Sequence, residues 1–377
     1  MKRLVVFCDG TWSRMSADHP TNVLIGAQLV RPKDEAGITQ VTYYDEGVGT
    51  SFLVNEWLET TLAAAFGLGL LNKIEAAYRF LIFNHEPGDE IFIFGFSRGA
   101  YTARSLAGLI RKCGIVPRSQ AKAIREIFEF YKDAATKPDS DEARRRRMLW
   151  APELIHKESD REWRLAHGAD RVLVAAAKPL VIRYLGVWDT VGALGVPQHL
   201  LISRVFGTTR KYQFHDTELS STVRAARHAV ATDERRLSFT PTLWSNLDVL
   251  NAAAGSDKYL QLWFPGDHGS VGGGGDIRDL SSDTLAWVMD GAVAEGLAVD
   301  EEKLEKLRSL ANPLGPLTNQ TKPPGLLDQL YRRGDREGPR DLALLAPGTR
   351  TRLAYEAKSG DWTPYRPLAL KHLWPEK

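Results

Sequence analysis

The sequence contains very little cysteine, since Cys8 and Cys113 are the only two among 377 residues. Two thiols cannot build the framework of several disulfide bonds that stabilises small secreted domains. Free cysteines are usually buried, and both of these lie within or directly after apolar stretches. We therefore expect two buried thiols in a fold that is held together by its hydrophobic core.

Long apolar runs are also missing from the sequence. The longest uncharged apolar stretch, Leu62 to Leu71, is about half as long as the roughly 20 residues that span a bilayer as a helix. The apolar run that follows Met1, Lys2 and Arg3 ends at Cys8 and is too short for a signal peptide. We therefore expect a soluble protein that is made in the cytoplasm, and its export would use a secretion system that needs no signal peptide.

The balance of charge gives no sign of a nucleic-acid partner. The formal net charge is only +2, and charged residues make up 25% of the sequence. These values are ordinary for a soluble globular protein and predict neither nucleic acid nor an acidic partner. Apolar residues make up 43%, which is enough to fill a sizeable core.

Short apolar runs of strand length alternate with helical patterns along most of the chain. The runs predict strands at residues 4–8, 39–44, 91–94, 181–187 and 260–264. Apolar residues at helical spacing predict helices over residues 70–81, 100–110, 124–131 and 285–293, the last with Asp283 as its N-cap. This alternation predicts a mostly parallel sheet that is flanked by helices. Functional residues in such sheets follow the strands, and here these positions are Asp9, Asp45, Ser97, Asp189 and His268.

Two regions depart from this alternation. Residues of about 136–170 are rich in charge, with four consecutive arginines at Arg144–Arg147, and we interpret them as an insertion over one face of the domain. Residues 311–377 contain nine prolines, which exclude long helices. We therefore expect a core domain over residues 1–310 and a C-terminal extension over residues 311–377 that packs on it.

The residues Gly95-Phe96-Ser97-Arg98-Gly99 have the G-x-S-x-G pattern of a nucleophile elbow. They lie between a predicted buried strand and a predicted helix, which is the context that this motif requires. In that tight turn the serine hydroxyl stands clear of the backbone, and side chains two positions to either side would collide, which explains Gly95 and Gly99. The sequence therefore predicts the α/β-hydrolase fold with Ser97 as the nucleophile.

A nucleophilic serine needs a histidine as its base and a carboxylate that orients the histidine. His268 follows the last predicted strand, in a loop with many glycines, and is the preferred base. Asp189 follows an earlier strand and is the preferred acid, which gives the chain order serine, acid, histidine. The alternatives are His228, which we interpret as a hydrogen-bonded core histidine, and Asp233, whose neighbours Glu234, Arg235 and Arg236 favour an ion-pair network.

An oxyanion hole requires two backbone amides near the nucleophile. One is expected from Arg98, directly after the serine, and the other from the early loop that contains Gly10 and Thr11. The carboxylate of Asp9 is expected to order that loop. Besides Asp9, the residues expected to line the substrate site are Gly95, Gly99 and Asp267.

Five motifs occur in a fixed order along the chain. They are Phe-Cys-Asp-Gly-Thr-Trp at 7–12, Gly-Phe-Ser-Arg-Gly-Ala at 95–100, Val-Trp-Asp-Thr-Val-Gly at 187–192, His-Ala-Val-Ala-Thr-Asp-Glu-Arg-Arg at 228–236 and Phe-Pro-Gly-Asp-His at 264–268. Together they resemble a bacterial family of α/β hydrolases typified by the phospholipase effectors of type VI secretion. The resemblance implies ester hydrolysis, with phospholipids as the substrate class, by Ser97, Asp189 and His268. One departure is that Gly269, Ser270 and Val271 follow the histidine, so the aspartate that the family carries there is missing.

Other kinds of site fit the sequence less well. Phe7 stands where the phosphatase pattern D-x-D-G-T needs its nucleophilic aspartate, and no lysine follows the glycines 272–275 as in a P-loop. The spacing of Asp267, His268, Asp276 and Asp279 matches no known metal site. We therefore expect neither a metal nor another cofactor.

The expected substrate is a lipid or a small ester, with a transient contact to a membrane surface. An insertion after the elbow helix is expected to cover the site and to supply an acyl pocket. Arg144–Arg147 either meet an anionic headgroup or form a solvated helix face. A small-molecule esterase and a catalytically silent binding protein on a hydrolase fold remain as alternative functions.

Overall fold

Parallel strands form the centre of the molecule. A computed structural model describes residues 1–10, 13–47, 59–192, 218–322, 332–355 and 364–374. Its strands are β1 (Arg3–Cys8), β2 (Gln40–Asp45), β3 (Glu90–Phe96), β4 (Leu154–Ile155), β5 (Lys178–Pro179), β6 (Ile182–Trp188), β7 (Ala226–Ala231) and β8 (Tyr259–Phe264). In this part of the chain one sheet has the order β2-β1-β3-β6-β7-β8, and all its neighbouring strands are parallel. The short strands β4 and β5 pair separately.

Helices lie on both faces of the large sheet. They are α1 (Asn22–Leu29), α2 (Glu59–Asn84), α3 (Arg98–Cys113), α4 (Ile124–Lys132), α5 (Asp141–Trp150), α6 (Glu158–Ala166), α7 (Arg171–Ala176), α8 (Leu247–Ala254), α9 (His268–Gly272), α10 (Asp279–Ala294), α11 (Glu301–Ser309) and α12 (Pro347–Ala354). Among the described residues, no helix has the length and apolar character needed to cross a membrane.

The alternation of side chains along the strands explains why both faces are covered. In β1, Leu4 and Val6 point to the face that α2 and α3 cover, and Val5 and Phe7 point to the face that α1 and α10 cover. All four side chains are fully buried. A strand that is apolar on both sides is typical of a parallel sheet between two layers of helices.

The predicted α/β-hydrolase fold, a mostly parallel sheet flanked by helices, is confirmed. Each predicted strand overlaps an observed strand, but β7 was not predicted as one because Arg227 and His228 interrupt its apolar run. The predicted N-cap of the late helix is wrong. This helix, α10, begins at Asp279, so that Asp283 lies in its second turn.

The charge-rich insertion packs at the end of α3 that is remote from Ser97. The guanidinium of Arg147 donates hydrogen bonds to the carbonyl oxygens of Arg111 and Lys112, at 3.3 and 3.4 Å. These carbonyls end α3, where a cation is favourable. Because a helix of 16 residues is about 24 Å long, these contacts lie far from Ser97. These contacts do not place the insertion over the site, so the prediction that it covers the site is wrong for this part of the insertion.

The four arginines of the insertion do not form a free basic surface either. Arg147 is buried, and Arg144 and Arg147 lie 3.7 and 3.6 Å from the carboxylate of Asp160. Arg146 pairs with Glu126 at 2.6 Å. Three of the four guanidinium groups thus have carboxylate neighbours within the insertion and α4. These contacts favour ion pairs within the protein over an anionic headgroup as the partner of the arginines.

The C-terminal extension packs against the last two strands of the sheet. Leu345 and Leu370 share a hydrophobic cluster with Val230 of β7 and Trp263 of β8. The carbonyl oxygen of Trp263 accepts the hydroxyl of Thr349 at 2.7 Å. Since β8 is the last strand of the sheet order, the extension covers an edge that would otherwise expose unpaired backbone groups.

Candidate active site

The turn between β3 and α3 holds Ser97 in a strained backbone conformation. Its φ is 58° and its ψ is −124°, a region that residues with a side chain rarely adopt. The turn is held by the backbone amide of Ser97, which donates to the carbonyl oxygen of Trp188 in β6 at 3.0 Å. Strain of this kind places the hydroxyl above the end of the sheet, clear of its own backbone.

The two glycines of the elbow are required by close backbone contacts. A Cβ atom at Gly95 would lie 2.4 Å from the carbonyl oxygen of Gly99, and one at Gly99 would lie 2.1 Å from that of Cys8. Neither contact can be relieved by the movement of a flexible side chain. This agrees with the collision predicted from the spacing of the motif.

Replacing Gly99 with alanine is expected to lower the free energy of unfolding by more than about 2 kcal/mol, because α3 and β1 must move apart. The matched control is Gly192→Ala, whose Cβ would have its nearest neighbour at 3.8 Å. That variant is expected to stay within about 1 kcal/mol of the parent protein. Urea unfolding of both variants measures the difference, and equal stabilities would contradict this account of the elbow.

The structure brings together the three side chains expected to form a catalytic triad. The hydroxyl of Ser97 lies 2.8 Å from Nε2 of His268, and Nδ1 of His268 lies 2.6 Å from Oδ2 of Asp189. These side chains follow β3, β8 and β6, whose carboxyl ends meet at the same edge of the sheet. The partners fix the tautomer, because Nδ1–H donates to the carboxylate and Nε2 accepts from the hydroxyl.

Asp189 is a fully buried carboxylate with several donors. Its Oδ1 accepts the backbone amide of Ala231 at 2.9 Å. The guanidinium of Arg336 forms two parallel hydrogen bonds with the two carboxylate oxygens, at 2.7 and 2.9 Å. Burial alone would raise the pKa of Asp189, but the charge of Arg336 and the hydrogen bonds more than offset it and hold this pKa well below its ordinary value. The carboxylate is therefore ionised throughout the neutral range.

Carboxylates anchor the loop that carries His268. Asp267 caps α9 by accepting the backbone amide of Ser270 at 2.8 Å. Asp233 accepts the amide of Gly266 at 2.6 Å, and Glu234 accepts the amide of His268 at 3.3 Å. Each of these carboxylates thus binds a different backbone amide of the loop. The observed contacts of Asp267, which was expected to line the substrate site, are those of a helix N-cap.

Two aromatic rings enclose the imidazole of His268. Phe96 is tilted against it with ring centroids 4.6 Å apart, and Phe239 meets it edge to face at 4.8 Å. The side chain of His268 is 8% exposed as a result. Packing on both sides limits the rotation of the ring, which favours a constant distance to Ser97.

The loop after β1 contains the other expected oxyanion donor. Asp9 is buried and accepts the hydroxyls of Thr21 and Tyr44 at 2.6 and 2.7 Å. The amide of Gly10 donates to Asp9 Oδ1 at 2.6 Å, so it is engaged within its own loop. Burial raises the pKa of Asp9, and the hydrogen bonds oppose this shift. Thr11, the third predicted donor, lies outside the described residues.

Arg98 opens α3 directly after the serine, so its backbone amide belongs to the positive end of the helix dipole. The structure thus places the backbone amide of Arg98 in the first turn of α3, next to Ser97. At the end of β2, Asp45 pairs with Lys73 at 2.6 Å and lies away from the serine.

The alternative residues have other partners. His228 is fully buried, and its Nε2 accepts the backbone amide of Thr190 at 3.1 Å while Nδ1 lies 3.0 Å from the side-chain oxygen of Gln261. Burial lowers the pKa of His228 to about 3. The carboxylate of Asp233 is bound by the hydroxyl of Tyr365 at 2.6 Å. His228 is thus a hydrogen-bonded core histidine.

Among the described residues, no three side chains of His, Cys, Asp or Glu are grouped closely enough to hold a metal ion. Asp276 instead accepts the backbone amide of Thr321 at 2.9 Å, and Asp279 accepts from the side chain of Asn312 at 3.1 Å.

Comparison with known proteins identifies the family to which the chain belongs. A sequence model of the catalytic domain of Tle1-like phospholipase effectors of the type VI secretion system matches residues 2–291. The chain belongs to the Tle1-like family. The match includes Ser97, Asp189 and His268, and it ends before the C-terminal extension.

Individual proteins are also similar to this chain. The chain is 28% identical over 255 residues to the uncharacterized protein YEL023C of Saccharomyces cerevisiae, which corresponds to 64% of this chain and 33% of that protein. Two solved structures are similar at lower identity. One is an uncharacterized protein from Pseudomonas aeruginosa, with 16% identity, a TM-score of 0.45, and 82% of this chain and 48% of that chain covered.

The other is a Tle1 effector bound to the VgrG spike of the type VI secretion system. It has 18% identity and a TM-score of 0.38, and the match covers 74% of this chain and 52% of that chain. The chain therefore spans about a third of the length of the yeast protein and about half the length of these two solved chains.

Some residues of this Tle1-like site were not predicted from the sequence. Arg336 and Phe239 contact Asp189 and His268, respectively, but neither lies in a recognisable motif. Glu234 belongs to one of the five motifs, and only its ion pair was expected. It does form that pair, with Arg236 at 2.7 Å, and it also holds the amide of His268. A search for polar residues within each motif could have found Glu234.

Proposed function

We propose that this protein is a serine hydrolase that cleaves the acyl esters of lipids through Ser97, His268 and Asp189. The observation that carries the proposal is the chain of hydrogen bonds from Ser97 through His268 to Asp189, at 2.8 and 2.6 Å. Membership in a family of phospholipase effectors supports lipid esters as the substrate class.

In the proposed first half-reaction, the hydroxyl oxygen of Ser97 attacks the acyl carbonyl carbon as its proton moves to Nε2 of His268. The positive imidazolium is stabilised by the ionised carboxylate of Asp189. Negative charge develops on the carbonyl oxygen, where the amide of Arg98 at the start of α3 is proposed as one donor. His268 then protonates the leaving alcohol, and the acyl group remains on the serine.

In the proposed second half-reaction, a water molecule attacks the acyl-enzyme and His268 accepts its proton. The tetrahedral intermediate collapses, the proton returns to the oxygen of Ser97, and a carboxylic acid leaves. The second oxyanion donor is proposed to be the backbone amide of Gly10 or Thr11. For Gly10 this role requires its amide to exchange the 2.6 Å bond to Asp9 for the substrate oxygen.

The proposals on export and membrane contact rest on the family alone. Effectors of this type reach their targets through a secretion system, so we propose export without a signal peptide and transient contact with a membrane surface. The proposed substrate is a phospholipid or another lipid ester. A small-molecule esterase is distinguished from it by the length of acyl chain that is hydrolysed.

Rates on a series of p-nitrophenyl esters are expected to rise with acyl length, because a lipid hydrolase binds the chain as well as the ester group. Each buried CH₂ group is worth about 0.8 kcal/mol, or roughly fourfold in kcat/KM. Activity on phospholipid vesicles is expected as well. The Ser97→Ala protein serves as the blank in every assay.

The outcomes of this series separate the candidate functions. Activity confined to acetyl and butyryl esters in solution would contradict the lipid proposal and favour a small-molecule esterase. No activity on any ester, from a folded protein that also fails to react with a fluorophosphonate, would favour a silent binding protein.

A further inference from the structure

Arg336 forms a buried ion pair with the acid of the proposed triad. Both NH groups of its guanidinium face Asp189, at 2.7 and 2.9 Å, and its side chain is 4% exposed. This fork geometry fixes the plane of the carboxylate, since two parallel hydrogen bonds allow little rotation. Asp189 itself has a positive φ of 37°, which again indicates a position that its surroundings impose.

The same guanidinium ties together the segments that surround His268. It donates to the carbonyl oxygen of Ala231 at the end of β7, at 2.7 Å, and to that of Phe239 at 2.5 Å. Phe239 is the ring that packs edge to face on the imidazole of His268. Arg336 therefore contacts both the carboxylate that holds His268 and the backbone of the residue that packs against it.

Arg336 comes from outside the segment that defines the family. The Tle1-like match ends at residue 291, and Arg336 is separated from Asp189 by 147 positions. The extension that carries it is anchored independently, by Leu345 and Leu370 in the cluster with Trp263. The position of Arg336 thus depends on the packing of the extension on β7 and β8.

The charge of Arg336 has a direct effect on how the pair of Asp189 and His268 binds a proton. A cation close to the carboxylate opposes protonation of the pair, whichever of the two groups holds the proton. The other charged groups near the pair come from neighbouring elements. They are Glu234, which forms an ion pair with Arg236, and Asp267, while His228 is neutral at ordinary pH.

We infer that Arg336 is a positioning residue, through which the C-terminal extension sets the orientation and the proton affinity of the Asp189–His268 pair. This inference rests on the proposed function, because it assigns Arg336 a role in the same reaction. It implies that the catalytic unit includes the extension and is not confined to the segment that matches the family.

The test replaces Arg336 with methionine and follows the pH titration of His268 by NMR, together with kcat/KM. The apparent pKa of the pair is expected to rise by about one unit. The acid limb of kcat/KM is expected to move upward with it, and kcat to fall by about a hundredfold, because the imidazole is then less well placed. Arg336→Lys keeps the charge and is expected to keep the acid limb close to that of the parent protein.

The matched control is Arg352→Met, which removes another buried arginine of the extension. Arg352 binds the carbonyl oxygens of Pro313 and Gly315, at 2.8 and 2.6 Å. Its loss is expected to lower stability without moving the titration of His268. Equal losses of activity in both methionine variants, with unchanged titrations, would show that Arg336 is only structural and would overturn the inference.

A double-mutant cycle with Asp189→Asn covers the case in which Arg336→Met does not fold. Removing both partners leaves no unpaired buried charge, so the double variant is expected to fold. If Arg336 acts through Asp189, adding Arg336→Met to Asp189→Asn changes kcat/KM by less than about threefold. A further tenfold loss would overturn the inference. The NMR titration needs no substrate, so an absence of ester hydrolysis would contradict the proposed function and still leave the role of Arg336 measurable.

Discussion

Replacing Ser97 with alanine is expected to abolish ester hydrolysis, with kcat lower by about 10⁶-fold, because the proposed acyl-enzyme forms on the hydroxyl oxygen of this serine. Labelling by a fluorophosphonate probe is expected to disappear at the same time. Stability is expected to change by less than about 1 kcal/mol, since alanine keeps the Cβ atom and loses only the hydrogen bond to His268. Mass spectrometry of the labelled protein and thermal unfolding measure the two effects.

Ser105→Ala is the matched control for this variant. Ser105 is also a buried serine of α3, two turns further from the start of the helix. Its replacement is expected to leave labelling and turnover unchanged. Full labelling of the Ser97→Ala protein, at any residue that remains, would show that the elbow serine is not the nucleophile.

The elements that could be predicted from the sequence are those with a local cause. A run such as Ile91–Phe94 is apolar on both faces, and such runs form strands only where helices cover both faces. The elbow also has a local cause. Gly95 and Gly99 are required because a Cβ atom at either position would collide with the backbone of the same strand-turn-helix unit or of the neighbouring strand. The order serine, acid, histidine that is typical of this fold then selected Asp189 and His268 among the residues that follow predicted strands.

The features that could not be predicted depend on contacts between distant residues. Arg336 lies among prolines in a segment without a periodic pattern, and only the packing of that segment brings it to Asp189. The arginine run at 144–147 has the composition of a headgroup site, but its partners are Asp160, Glu126 and the carbonyls that end α3. Composition alone cannot distinguish these two uses of the same charge.

The loop around His268 illustrates both cases. The resemblance predicts an aspartate after the histidine, and this chain has Gly269 and Ser270 there. Here Asp267 caps the helix from the preceding side, and a Cβ at Gly269 would lie 2.6 Å from the amide of Asn319 in the extension. A long-range neighbour therefore occupies the space beside Gly269, which the sequence around the histidine could not reveal.

Replacing His268 with alanine is expected to lower kcat by about 10⁴- to 10⁶-fold, because Ser97 then has no base. Adding His268→Ala to Ser97→Ala is expected to cause little further loss, since members of one triad act as a unit. Residual rates in p-nitrophenyl ester assays, with unfolding curves to confirm the fold, measure both effects.

His228 is the sharper comparison, since it is also a buried histidine and lies within β7. Both of its ring nitrogens are engaged, and burial lowers its pKa to about 3, so it holds no useful affinity for a proton near pH 7. His228→Ala is therefore expected to lose about 2 kcal/mol of stability by leaving the amide of Thr190 unpaired, while turnover per folded molecule stays near that of the parent protein. If the alanine variant does not fold, His228→Gln restores an acceptor for that amide. The contradicting outcome is a folded His228 variant without activity, together with an active His268→Ala protein. It would show that His228 is the base and that the hydrogen-bond chain from Ser97 to Asp189 is only structural.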